Sequence, residues 1–60
     1  MNELMLAVVE SKDRKAMAGV YARYLDANDV DWGVVNAAIL TRWSMSGLQY
    51  IKTLAWKIRG

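Results

Sequence analysis

Trp32-Gly33-Val34-Val35-Asn36-Ala37-Ala38-Ile39-Leu40-Thr41-Arg42-Trp43, running into Ser44-Met45-Ser46-Gly47 and then Leu48 to Ile58, is the stretch that decides the fold. Trp32, Val35, Ile39 and Trp43 recur at helical spacing, and Leu40 widens the stripe. The opposite side, Val34, Ala37 and Ala38, is also nearly apolar, so this helix is either central or covered by a partner. Asp29 and Asp31 just ahead of it are good N-caps and suit the positive end of the helix dipole. After the polar turn, Ser46-Gly47-Leu48-Gln49 reads as a Ser-x-x-Gln capping box. Leu48, Ile51, Leu54, Ala55 and Ile58 predict the inner face of a last helix, with Lys57 and Arg59 at its negative end.

Two shorter segments precede this pair. Asn2 to Glu10 places Leu4, Met5, Val8 and Val9 on one side, although its β-branched residues leave a strand open. Lys12 to Leu25 is the clearest amphipathic helix, with Met17, Val20, Tyr21 and Tyr24 inward and Lys15, Ala18, Gly19, Ala22 and Arg23 outward. In one continuous rod the two apolar faces would lie about 140° apart. A bend near Ser11, itself able to cap the next helix, is therefore expected. The predicted fold class is all-α: one small domain over residues 1–60, a bundle of three to four short helices ending in a helical hairpin.

Composition restricts what such a domain does. The 60 residues include eight Lys or Arg and six Asp or Glu, a net charge of +2, with no His, Cys or Pro. Without His or Cys there is no imidazole base, thiolate nucleophile or Cys/His zinc cluster. Asp26, Asn28, Asp29 and Asp31 suggest a calcium loop, but from Asp26 the fifth position is Val30 and the twelfth is Ala37. Gly19, Gly33, Gly47 and Gly60 are isolated and make no phosphate loop. The expectation is a non-enzyme with no metal, cofactor or small-molecule substrate. Val34 to Leu40 is too short for a bilayer, and Met1-Asn2-Glu3 lacks the basic start of a secretory signal. That combination predicts a cytoplasmic protein without transmembrane insertion.

The charge is unevenly placed. All six acids lie within the first 31 residues, beside four cations; the remainder holds Arg42, Lys52, Lys57 and Arg59 and no acid. An acid-free cationic half points to a polyanionic partner. From Trp32 to Arg59 the chain also resembles the helix-turn-helix motif in outline: a helix, a short turn and a capped, basic second helix. Ala37 or Ala38 and the inward pair Leu48 and Ile51 fit that motif. The turn departs from it, with Thr41, Arg42 or Trp43 where many members have Gly, and a connection about one residue long. What the resemblance implies is a small regulatory protein that binds double-stranded DNA. The residues expected to meet the duplex are Gln49, Lys52, Thr53, Trp56 and Arg59 of the last helix, with Arg42 from the turn. Trp32, Trp43, Tyr21 and Tyr24 read as core; Lys12, Arg14 and Lys15 read as a solvated face.

A second expectation comes from apolar excess. Hydrophobic residues make up 55 % of the chain, including three Trp, three Tyr and four Met. A domain this size has little interior, so a homodimer or a tight protein partner is expected. Met45, Trp56, Leu4 and Val8 are the candidate interface residues of such a protein-interaction module. Trp56 is also a candidate to lie beneath the N-terminal helix.

Overall fold

The computed structural model describes residues 3–60, and its elements are all helical: α1 (Glu3–Glu10), α2 (Arg14–Arg23) and α3 (Trp32–Arg59). Met1 and Asn2, where the first segment begins by sequence, lie outside the described residues. The expected bend between the first two segments is present. It falls over Ser11 to Asp13, and the cap is Asp13, not Ser11: its carboxylate accepts the Ala16 N–H at 2.7 Å from an extended backbone (φ −140°, ψ 158°). Asp31 caps α3 in the same way, accepting from Val34 N–H at 3.2 Å.

A straight helix of 28 residues would be about 42 Å long, yet the longest dimension of the Cα trace is 24 Å. The discrepancy is resolved at Ser44, whose φ of 67° and ψ of 178° break α3 into a first arm, residues 32–43, and a second arm, residues 45–59. This backbone region is nearly reserved for glycine and costs other residues about 1–3 kcal/mol. The second arm thus starts at Met45, ahead of Ser46, so Ser46 is not its capping residue. The Ser44 and Ser46 hydroxyls lie 3.3 Å apart at the bend.

What holds so tight a reversal is the missing side chain at Gly47. A Cβ built there would overlap Trp43 Cβ, and the Arg14 Cδ from α2 lies only 3.8 Å away. Three pieces of chain meet over one backbone.

The core draws on every element: Leu4 and Val8 from α1; Met17, Ala18 and Tyr21 from α2; Val35 and Ile39 from the first arm; Leu48, Ile51 and Ala55 from the second. Tyr24, Trp32 and Trp43 pack against it, as the spacing predicts. Tyr21 and Trp32 lie with ring centroids 4.7 Å apart. The phenol of Tyr21 donates to Asn36 Oδ1 at 2.9 Å, which satisfies the polar residue interrupting the first arm.

Three sequence expectations need correction. Ala18 is fully buried, because a methyl-sized residue is where α2 lets its neighbours approach; the buried face of α2 is rotated towards it. Leu4 and Val8 are core residues, 0 % and 3 % exposed, and offer no interface. Ile58 is 54 % exposed: every residue of the final turn from Trp56 onward is exposed.

The backbone geometry fixes two opposite substitutions. Ser44→Gly stabilises the protein by about 1 kcal/mol by relieving the positive φ. Gly47→Ala, which in an ordinary helix would add stability, instead costs about 1–3 kcal/mol through overpacking against Trp43. Urea unfolding midpoints of the two variants are expected on either side of the parent. Burial of Tyr21 pushes its phenol above the ordinary value, so the native state favours the neutral form. That contribution is complete below about pH 10 and is lost as pH rises through the native-state pKa. Tyr21→Phe is expected to flatten the loss of stability above about pH 10, followed by urea midpoints.

Candidate nucleic-acid interface

The six residues expected to face a duplex do not come to one place. Gln49 and Thr53 are exposed on the outer wall of the second arm, and Trp56 is 51 % exposed beside them. The N-terminal helix does not cover this tryptophan. Lys52 sits half-buried at the edge of the wall, between solvent and the core row of Leu48, Ile51 and Ala55.

Arg59 points elsewhere. Its guanidinium makes a two-pronged contact with Asp26, Nε to Oδ2 at 3.0 Å and Nη2 to Oδ1 at 2.8 Å, and lies 5.2 Å from the Trp56 ring. The bidentate bond and the carboxylate's charge both hold this guanidinium more firmly protonated. The acid supplied by the α2–α3 loop thus neutralises one of the four cations that make the C-terminal half look basic.

Arg42 is used differently again. It donates from Nη1 to the Val9 carbonyl at 3.0 Å and from Nη2 to the Ser11 carbonyl, with its guanidinium 4.9 Å from the Trp43 ring. Two carbonyls at the end of α1 receive a cation, which satisfies orphan acceptors and complements the dipole there. Arg42 is a fastener between α1 and the first arm.

The face that does assemble includes residues the sequence reading passed over. One shallow depression of the outer wall is lined by Gln49, Tyr50, Thr53, Leu54 and Lys57. A neighbouring one is lined by Asp13, Arg14, Lys15, Ala16 and the same Tyr50. Arg14 lies 4.6 Å over the Tyr50 ring, tying the start of α2 to the second arm. Lys12, Arg14 and Lys15 are exposed, as the sequence reading has them, and Arg14 and Lys15 border the wall of the second arm across Tyr50. Lys12, Lys15, Lys52 and Lys57 have no ion-pair partner among the described residues. Asp13 stands among them, but its carboxylate is engaged at the α2 N-terminus.

Lys57 and Tyr50 were within reach of sequence reasoning. They share the outward side with Gln49 and Thr53 on a helical wheel, and the sector chosen by sequence was centred too near Lys52 and Arg59. The contact of Tyr50 with Arg14 spans 36 positions and left no sequence signal.

No helix among the described residues is long and apolar enough to cross a membrane. Comparison with protein-family models, curated proteins and solved structures finds no match to this chain.

The fastening role of Arg42 is testable without any ligand. Arg42→Ala is expected to lower unfolding stability by about 1 kcal/mol by leaving the Val9 and Ser11 carbonyls to water. Arg42→Lys recovers only part of this, since one ammonium lacks the fork that spans two acceptors. A full recovery by lysine in urea titrations overturns the assignment.

Proposed function

We propose that this chain is a small DNA-binding regulatory protein, and that its duplex-facing surface is the outer wall of the second arm extended by the start of α2. The observation that carries this reading is the position of Tyr50 in the walls of both depressions, joining two cationic stretches that are distant in sequence. Arg14, Lys15 and Lys57 supply the cations for phosphates, and Gln49 and Thr53 have the hydrogen-bonding groups to meet base edges. Arg42 and Arg59, bound to the chain's own carbonyls and carboxylate, are left out of the contact set. The arrangement is helix-turn-helix-like in presenting the second of two successive helices outward, with a one-residue link at Ser44 where that motif has a turn of three or four.

The alternative reading is a protein-interaction module. It is favoured by the exposure of Met45 (59 %) and Trp56 (51 %), with Arg59 against the Trp56 ring, since a tryptophan beside an arginine suits a binding hot spot.

Fluorescence anisotropy on random-sequence duplex DNA over a range of salt concentrations separates the two. The first reading expects log affinity to fall linearly with log salt, by about 0.9 per phosphate contact. Lys15→Ala and Lys57→Ala each lower that slope by about one contact, and Arg59→Ala leaves it unchanged. Absence of binding at low salt overturns the first reading and leaves the interaction module.

A further inference from the structure

Among the described residues, Ser44 is the one non-glycine with a positive φ, and it is also the whole link between the two arms of α3. The backbone is helical on both sides of it. Rotating this single residue to ordinary helical angles removes the strain and makes α3 one rod, about 42 Å long. It also separates Trp43 from Gly47 of the same chain, which are crowded at the bend. Such a rod does not serve one core. At about 100° per residue, the row of Val35 and Ile39 and the row of Leu48, Ile51 and Ala55 lie about 170° apart on a straight helix. In the folded-back chain both rows enter one core; on the rod they face opposite ways. The second row then needs another α1 and α2 to cover it, and a second copy of the chain supplies them.

We propose that the chain exchanges its second arm with a second copy, with Ser44 as the hinge. In the dimer the two α3 rods cross at Ser44 on a two-fold axis. Each of two opposite wedges of the crossing holds one α1 and α2, the first arm of their own chain and the second arm of the other. Opposite rows on one rod are what this crossing requires, because the two wedges lie on opposite sides of each rod. The core contacts of the second arm are remade between chains, and so are those of Arg14 with the Tyr50 ring and Arg59 with Asp26. Exchange of an identical element is a low-cost route to a dimer, and a short hinge under strain favours it. The exchange stands whether or not the nucleic-acid reading does.

Refolding the full chain from urea, followed by gel filtration, tests it. The parent is expected to give a dimer beside the monomer when refolded at about 1 mM, and monomer alone at about 1 µM. Ser44→Gly relieves the bent form and weakens the rod, so dimerisation falls about tenfold per hinge and about a hundredfold in all. Ser44→Ala leaves the bend strained and strengthens the rod, raising dimerisation about fivefold. Zero-length carbodiimide coupling then tells exchange from simple association. In an Arg59→Lys background the new amine faces the Asp26 carboxylate, which the guanidinium meets at 2.8 Å in the parent. The isolated dimer is expected to be joined 26 to 59 between copies, and the monomer within one chain; Asp26→Asn removes both bonds. A dimer whose 26–59 bond stays within one chain overturns the proposal. So does a Ser44→Ala variant that stays monomeric after refolding at about 1 mM, or equal dimer yields from Ser44→Gly and Ser44→Ala.

Discussion

The reversal at Ser44 is the constraint on which the rest of the structure depends. The first arm carries core residues Val35 and Ile39 and the second carries Leu48, Ile51 and Ala55. A continuous rod would spread these over about 30 Å, farther than two helices of eight and ten residues can cover. Doubling back places both rows around α2, and a chain of 60 residues closes. Its accessible surface, 3894 Å², matches the roughly 4,000 Å² expected of a compact monomer of this mass. Glycine stands where the two arms nearly touch, at Gly47, and not where the dihedral angle asks for it, at Ser44. Close approach admits no side chain at all, whereas a positive φ only costs energy.

Arginine and lysine divide the work of the cations cleanly. Each arginine has a structural partner: Arg14 the Tyr50 ring, Arg23 the Glu3 carboxylate, Arg42 two carbonyls of the α1 end, Arg59 the Asp26 carboxylate. The four lysines have no ion pair among the described residues. A planar fork with several donors suits fixed contacts, and a flexible ammonium suits solvent or a mobile polyanion. The charge division seen along the sequence is therefore only half the division in space. Asp26 moves across to the cationic half, and Asp13, Arg14 and Lys15 meet the second arm at Tyr50.

Much of the fold was legible because it is local. The Asp31 cap, the stripe through Val35 and Ile39, and the inner row of Leu48, Ile51 and Ala55 follow from spacing within one helix. So does the bend before α2, where two apolar faces conflict. What was not legible is rotation. Spacing gives the existence of a stripe, but its neighbours decide which edge is covered. α2 is turned towards Ala18, and α1 buries Leu4 and Val8 while leaving Leu6 and Val9 outside. The candidate site failed in the same way. Arg42 and Arg59 stand at outward-looking positions, and their partners lie 31 to 33 residues away, beyond any local pattern.

The bend also decides which neighbours each stretch of α3 has. On a straight α3 the outer residues of both arms would wind around one axis. The break turns the two outer walls into independent directions. The first arm gains α1 as its neighbour through Arg42, and the second gains the start of α2 through Arg14 and Tyr50. Each wall draws its character from the helix it was given as a companion. Arg42 and Arg14 hold those companions in place, one by hydrogen bonds to carbonyls and the other across an aromatic ring. Both arginines act close to the reversal: Arg42 two residues before Ser44, and Arg14 with its stem over Gly47. The geometry that closes the core is thus also the geometry that sorts the surface.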